Sequence, residues 1–407
     1  MNITLISVCL CVCTAVAAFA QGGSNYSAIG LGDMRRSVGA LYDGMAGTAI
    51  AMPSDHGINI VNPALLGMSP YTRLQAGYRF NQHLSSQGDL STRQNNGEID
   101  GLMVLFAVDT LRGFGVSFGV IPYSSVNYLT QRSLSTPVDG TPLTGRALQQ
   151  GTGGTSAIQI GASGRVGNLY AGISMQALFG LISLSEFLYV DAINERVQSS
   201  TSYDVRGMLL RAGFLYRGSS VSLGGFISGG PRGSMNTVYR AAGLLGNSVY
   251  IDSTLSVVGT TDFPISLGVG ASTTLGRAVV GADLEWSDHS GVDVNPRRDA
   301  QYDRSLRASL GYSLQAAHYA PTFWDKWGFR AGLSYQRMYF TYKGSQVHEY
   351  AAAAGFDFPL GQSATVDAAV QGGYRGPVTG TLSELFARLT VTVSIGEQWF
   401  RPFGRDE

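Results

Sequence analysis

After position 71 the chain is dominated by alternation of apolar and polar residues with a period of two. The alternation comes in segments of about ten residues, the length that spans a bilayer when a strand is tilted. Fourteen such segments are read, at 72–80, 99–108, 113–124, 156–166, 169–180, 203–216, 219–228, 263–275, 278–287, 304–314, 327–338, 347–358, 363–375 and 384–397. In 263–275, Ile265, Leu267, Val269 and Ala271 oppose Ser266, Gly268, Gly270 and Ser272. In 278–287, Val280, Ala282, Leu284 and Trp286 oppose Gly281, Asp283 and Glu285. In 384–397, Leu385, Ala387, Leu389, Val391, Val393 and Ile395 oppose Arg388, Thr390, Thr392 and Ser394.

A soluble β-sandwich alternates as well, so the choice rests on the opposing face and on the connections. Asp283, Glu285, Arg307, Arg330, Asp367 and Arg388 all fall on the face opposite the apolar one. In a sandwich that face meets bulk water; in a barrel it lines a polar lumen. The connections alternate between long (81–98, 125–155, 181–202, 229–262, 288–303) and short (109–112, 167–168, 217–218, 276–277, 359–362), with 315–326 overlong for the short set. Short periplasmic turns and long external loops are the rule for outer-membrane barrels, and an even strand number returns both ends of the wall to the periplasm. The expected fold is therefore all-β: a 14-stranded antiparallel transmembrane β-barrel with a small N-terminal plug inside the lumen. Aromatics near strand ends, among them Tyr78, Trp286, Trp327, Tyr335, Tyr374 and Trp399, suit interfacial girdles.

The plug is assigned to 21–71 because nothing in that stretch alternates. Small residues crowd it (Gly30, Gly32, Gly39, Gly44, Gly47, Ala49, Ala51), a charged knot sits at Asp33-Met34-Arg35-Arg36, and it closes on Asn62-Pro63-Ala64-Leu65-Leu66-Gly67. There Asn suits a helix cap and Pro the first helical position. Residues 1–20 read as a secretory leader ending in Ala18-Phe19-Ala20, although it lacks a basic residue before its apolar run. The wall is expected at 72–400, followed by a short tail at 401–407.

Composition narrows the function. Charged residues are 14% of the chain, against about 25% in soluble domains, and glycine is abundant at 54 residues. The formal charge of zero gives no electrostatic footprint for nucleic acid. All three cysteines (Cys9, Cys11, Cys13) lie in the leader, which leaves the mature chain no disulfide, thiolate nucleophile or cysteine metal ligand. Beyond the leader no apolar run is long enough for a transmembrane helix. The Gly30-x-Gly32 and Gly151-x-Gly153-Gly154 stretches do not complete a nucleotide loop. The five histidines show no ligand spacing, so no metal and no cofactor is expected. Asp293, Asn295, Asp299 and Asp303 share a predicted loop, where solvated side chains outrank a Ca²⁺ site. His289 beside Ser287 and Ser290 is the only local hydrolase pairing, and neighbours on a strand point apart, so the chain is not read as an enzyme. More informative are apolar residues in two predicted external loops: Phe187 and Leu188 in 181–202, and Leu244, Leu245 and Tyr250 in 229–262. They read either as an entry site for a hydrophobic ligand or as side chains that pack together to close the barrel top.

The segment Gly44-Met45-Ala46-Gly47-Thr48-Ala49 through Asn62-Pro63-Ala64-Leu65 resembles the N-terminal hatch of the FadL family of outer-membrane transporters for long-chain fatty acids and other hydrophobic compounds. The likeness continues in Phe263-Pro264-Ile265-Ser266-Leu267-Gly268-Val269-Gly270, in Leu306-Arg307-Ala308-Ser309-Leu310-Gly311-Tyr312 and in Trp327-Gly328-Phe329-Arg330-Ala331-Gly332-Leu333. It implies an outer-membrane location in a Gram-negative-type bacterium, a hydrophobic small-molecule ligand and contact with outer-membrane lipid; the sequence leaves the oligomeric state open, with a monomer as the expectation. The implied mechanism is passive diffusion. Ligand is caught by external loops and released by a shift of the hatch (Asn62, Pro63, Ala64, Leu65). It then leaves sideways at a kink in the third strand, where Gly115, Gly119 and Pro122 stand. Arg307, Arg330 and Arg388 are candidates for pairing a fatty carboxylate, with internal pairing to Asp283, Glu285 or Asp367 as the competing reading. The alternative function is an outer-membrane barrel serving as a component of assembly or secretion machinery without lipid transport. A filled lumen with no apolar pocket would favour it.

Overall fold

The computed structural model describes residues 22–54, 56–138, 141–190, 195–245, 248–297, 299–316, 322, 324–360, 363–378 and 382–399. The leader 1–20 and the tail 401–407 lie outside them. The strands, in chain order, are β1 (Asp33–Met34), β2 (Thr72–Gln87), β3 (Leu90–Asp109), β4 (Phe114–Ser125), β5 (Tyr128–Val138), β6 (Thr141–Val166), β7 (Leu169–Val190), β8 (Glu195–Arg217), β9 (Val221–Gly229), β10 (Gly233–Leu245), β11 (Ser248–Thr261), β12 (Ile265–Leu275), β13 (Ala278–Asp288), β14 (Ala300–Tyr302), β15 (Arg304–Leu314), β16 (Gly328–Tyr342), β17 (Ser345–Pro359), β18 (Ala364–Pro377) and β19 (Leu382–Glu397).

Fourteen of these form a closed antiparallel wall in the order β2-β3-β4-β6-β7-β8-β9-β12-β13-β15-β16-β17-β18-β19. The ring closes where β19 pairs with β2 from Glu397↔Thr72 to Leu382↔Gln87. Each of the fourteen alternating segments coincides with one wall strand. Closure is what lets a sheet cross lipid, since every backbone N–H and C=O in the apolar layer finds a partner strand.

Inside and outside follow from the pleat. Along β19, Leu385, Leu389, Val391, Val393 and Ile395 point outward and are exposed, while Glu384, Thr390, Thr392 and Ser394 point inward and are buried. Aromatics bracket the apolar band. Trp327 stacks on Phe358 at 5.2 Å, and Phe106 meets Trp399 at 6.0 Å, near the short-turn end. Tyr335 and Tyr350 lie 5.2 Å apart toward the other end.

The expected long loops differ from the structure. β6, β7 and β8 are 26, 22 and 23 residues long. The ladder between β6 and β7 runs without a break from Val166↔Leu169 to Gly145↔Val190. Likewise 81–98 is a β2–β3 hairpin, and 229–262 is mostly the β10–β11 hairpin, whose β10 continues the pairing of β8 upward. Above the lipid band the outward face no longer has to be apolar. The alternation that marks a strand fades there, while Ser, Thr and Gln still pair as well as Val does.

Because the outward side chains of the band meet hydrocarbon, a Val391→Arg substitution should lower stability by about 2–4 kcal/mol. Urea unfolding of the protein folded into lipid vesicles measures this, and an unchanged midpoint would contradict the lipid-facing assignment.

Candidate functional site

The lumen is occupied by residues 22–71. This segment has little regular structure: a 3-10 turn at Asn25–Ala28, the two residues of β1, one helical turn at Ala40–Asp43 and a 3-10 stretch at Pro63–Met68. Its shape is set by the wall, which it touches on every side. Ser24 Oγ and the Asn25 N–H donate to the Glu384 carboxylate at 2.6 and 2.7 Å. The Gly39 N–H donates to Asp100 at 2.7 Å, and the Ala49 and Ile50 N–H groups to Asp283 at 2.7 and 3.0 Å. Arg211 and Arg307 of the wall donate in return to the Ile60 and Ala46 carbonyls. A segment bonded to strands around the whole ring lies within it.

Charge inside the wall is paired almost everywhere. Arg36 reaches Glu285 at 2.6 Å and Asp283 at 3.3 Å. Arg79 joins Asp43 at 2.5 Å and Asp100 at 3.1 Å, and Arg375 joins Asp33 and Glu349, each at 2.6 Å. Arg330 pairs with Asp357 and, at 3.0 Å, with Asp367. His56, Asp357 and Asp367 bring potential metal-ligating atoms within 4.8 Å of one another, but the guanidinium of Arg330 already sits on both carboxylates. Removing one partner of such a buried pair costs about 3–5 kcal/mol, since the other charge is stranded.

Glycines make the close fit possible. A Cβ on Gly172 of β7 would come within 2.5 Å of the Pro63 backbone, one on Gly311 of β15 within 2.8 Å of Thr48, and one on Gly115 of β4 within 2.8 Å of the Leu66 carbonyl. Gly213, Gly281 and Gly332 are likewise pressed against Asn62, Met52 and Met45. On the β4–β8 side the contact is apolar instead. There Ile58, Ile60 and Leu66 pack with Ile121, Leu178, Ile182, Val205 and Leu209 in one buried cluster. The loop 289–297 folds in above, adding Val292 and Val294 to that cluster, and the Asn295 amide donates to the Ala28 carbonyl at 2.7 Å.

The wall is interrupted between β3 and β4. Pairing of β3 with β4 ends at Leu102↔Val120. Above it, Ser125 and Ser124 of β4 pair with Asp33 and Met34 of β1, and the Arg35 N–H donates to the Tyr123 carbonyl at 2.8 Å. The Arg35 side chain then pairs with Glu98 of β3 and stands 3.7 Å from Asp100. The N-terminal segment is thus spliced between the second and third wall strands.

Of the kink residues expected there, Gly115 and Gly119 do not break the ladder. Each is in register on both sides, with Ala107 and Ser163 and with Met103 and Gln159. The register shift falls between Pro122 and Ser124, where proline supplies no N–H. Asn62 is the cap of the 3-10 stretch, accepting from the Ala64 N–H at 3.1 Å and donating to the Ile50 and Phe214 carbonyls at 2.8 and 2.9 Å. Pro63, Ala64 and Leu65 follow it, buried.

Arg307, Arg330 and Arg388 all face the lumen; Arg388 donates to Gln371 at 3.2 Å and lies over Phe386. Phe187 and Leu188 are strand residues of β7, half-buried and paired with Gln198 and Val197, and Tyr250 is exposed on β11. β8 and β10 stand between them, so these residues do not converge. The side chains of Leu244 and Leu245 lie outside the described residues. Ser287 donates to Ser266 at 2.8 Å, while burial lowers His289 to about 4 and its ring stacks on Tyr339 at 4.5 Å. That leaves no Ser–His dyad in this loop. Asp299 and Asp303 are taken by Arg297 and Arg337.

Sequence reading missed Arg79, Glu98, Asp100, Glu349, Arg375 and Glu384, the charges that hold the network. A charged residue on the inward face of each candidate strand was the available signal. It also missed Tyr339, whose hydroxyl donates to the Ile29 and Gly32 carbonyls at 3.0 and 2.9 Å.

Gly332→Leu should unseat the segment while leaving the wall folded, because the new side chain collides with the Met45 backbone. Limited proteolysis should then cut within 24–71, with the heat-dependent gel shift of the barrel retained. Gly164→Leu, where an added Cβ meets nothing within 4 Å, is the control that should stay resistant.

The fold is that of FadL-type barrels. A Pseudomonas aeruginosa FadL homologue superposes with a TM-score of 0.64 at 12% identity, covering 92% of this chain and 100% of that one. The Ralstonia pickettii toluene transporter TbuX gives 0.62 at 14%, covering 89% and 98%. The CymD monoaromatic hydrocarbon channel gives 0.60 at 14%, covering 90% and 99%. A search of curated protein sequences finds no match. The chain is a fourteen-stranded outer-membrane β-barrel. The model of one family, described as BamG, matches residues 2–403, and the chain belongs to that family.

Proposed function

We propose that the chain works in the outer membrane as a closed, plugged barrel that holds a place in a protein assembly and conducts no solute in the state seen here. One observation carries this reading: the lumenal cavities seen among the described residues are small and polar. Among the described residues two lumenal cavities measure about 100 Å³ each, and both are lined by charge, including Arg36, Arg307 and either Glu349 or Glu285. Sites for small organic ligands are mostly apolar and run to about 300–1,000 Å³. The residues 21–71 act as a structural plug in this reading, and the chain is not an enzyme.

A second reading is passage of a hydrophobic compound. It is supported by the channels that share the fold, named for toluene and monoaromatic hydrocarbons. It is supported also by the apolar column Ile182, Leu178, Val205 and Leu209, which leads down to Ile60 and Leu66 of the N-terminal segment. In this reading the entry site is the upper part of β7 and the β10–β11 hairpin, the segment around Asn62–Leu65 shifts, and the exit is sideways at the β3–β4 interruption. A hydrophobe gains about 25 cal/mol per Å² of apolar surface on leaving water for lipid, which makes a lateral route reasonable. Such passage needs an opened state in which Val292, Val294 and Phe263 leave the column and Arg35 leaves Glu98 and Asp100.

The two readings separate in one experiment. Cells expressing the full chain, the chain lacking 22–71, or an empty vector are given labelled long-chain fatty acid and labelled toluene. The assembly reading expects the full chain to match the empty vector for both compounds, and to leave native membranes in mild detergent as a particle larger than the barrel alone. Uptake that depends on the full chain would overturn it in favour of transport.

A further inference from the structure

We propose that β11 is a docking edge for an extended, uncharged β-strand of another protein at the outer surface of the membrane. β11 pairs with β10 from Thr261↔Gly233 to Ser248↔Leu245 with one register shift at Tyr250, and among the described residues no strand pairs with its other side. All eleven residues from Ser248 to Val258 are exposed. In an antiparallel pair, alternate residues turn their N–H and C=O away from the partner strand. Beyond the shift at Tyr250, the eight residues from Ile251 to Val258, about 27 Å at 3.4 Å per residue, therefore present a row of backbone donors and acceptors turned away from β10. The occupant that satisfies such a row is another strand.

Natural edges are defended by Lys, Pro, bulges or covering side chains. β5 shows these defences: it carries Arg132 and Pro137, and the Gln94 side chain covers its Leu129 N–H and carbonyl at 3.2 and 2.9 Å. β11 has one of them, a register shift at Tyr250 near its tip, and none from Ile251 to Val258. It contains no Lys, Arg or Pro, and its side chains include Val249, Ile251, Leu255, Val257 and Val258, the last 81% exposed. Its only charge, Asp252, is matched inside the hairpin by Arg240 at 3.3 Å. With no charge left to complement, the edge selects an uncharged strand. The hairpin is also held in place from below, where the Asp262 N–H donates to the Gly291 carbonyl at 3.2 Å and Thr261 Oγ1 accepts from the Asp293 N–H at 3.1 Å. An edge already fixed loses less conformational freedom on binding.

The identity of the partner as another protein rests on the assembly reading above; strand addition itself does not. The test uses the full chain, purified in detergent, and a fluorescent, end-capped peptide of eleven alternating Val and Thr residues. Saturable binding by anisotropy is expected. The same peptide N-methylated on alternate amides should not bind. The Leu255→Lys/Val257→Lys double variant, with its barrel gel shift intact, should bind about tenfold more weakly, equivalent to about 1.4 kcal/mol. Equal binding of the N-methylated peptide, binding unaffected by the two lysines, or no saturable binding would each overturn strand addition. Light scattering showing a dimer of the chain that the two lysines dissociate would overturn the choice of another protein and assign the edge to a second copy. Fatty-acid uptake by the full chain would remove the assembly reading and leave the peptide result standing.

Discussion

Lipid outside the wall fixes what stands inside it. A sheet that crosses hydrocarbon must close to satisfy its backbone, and once closed its pleat sends every second side chain into an enclosed space. In this chain many of those inward side chains are charged. They are too buried to be hydrated freely and too numerous to pair only with one another. Asp283 takes two N–H groups and one guanidinium from residues 36–50, Asp100 takes one N–H from Gly39, and Glu384 takes two donors from Ser24 and Asn25. Without the N-terminal segment each would become a buried anion short of partners, at a cost of several kcal/mol. The dependence is mutual, since a segment with so little helix or strand of its own has its carbonyls satisfied by wall arginines. Wall and segment are therefore one folding unit rather than a container and its contents.

That dependence explains which parts of the structure were legible in the sequence. The fourteen membrane crossings were, because lipid on one face and a polar lumen on the other force alternation. The upper halves of β6, β7 and β8 were not, because both faces there tolerate polar residues and the pattern loses contrast. Met338, Tyr339 and Phe340 show a different failure. All three are buried in succession, at the register shift of β16 between Arg337 and Thr341. The bulge turns Tyr339 inward onto Ile29 and Gly32, and no period-two reading anticipates a residue re-aimed by a bulge. The inward charges were visible one strand at a time, but not their partners. Ser24 and Glu384 are 360 positions apart, and only closure of the ring brings them together. The glycines gave the weakest signal of all. Their abundance registered only as a composition bias, whereas Gly172, Gly311 and Gly332 are positions where a side chain would strike the segment.

The interruption between β3 and β4 shows how much of a lateral route is built in. The β3–β4 pairing stops at Leu102↔Val120, and just above it β4 shifts register against β6 beside Pro122, yet the opening is filled on both sides, by backbone pairing to β4 and by Arg35 against Glu98 and Asp100. Passage at this point would separate a buried arginine from its carboxylates and also break a strand pair. A ligand without charge offers nothing to compensate either loss. An interior organised this way favours staying closed.

The outer parts of the molecule are under the opposite pressure. Above the lipid band nothing requires a strand to continue, and β10 and β11 complete no barrel: β9 and β12 pair directly beneath them. A hairpin that the wall does not need, tied down at its base and left among the described residues with one unpaired edge, is what the proposed strand docking would use. The lumen spends its polar groups on internal closure, while β11 leaves a row of backbone groups unmatched in water. On the proposed reading the available binding chemistry is therefore on the outside of the barrel, where a member of an assembly would meet its neighbours.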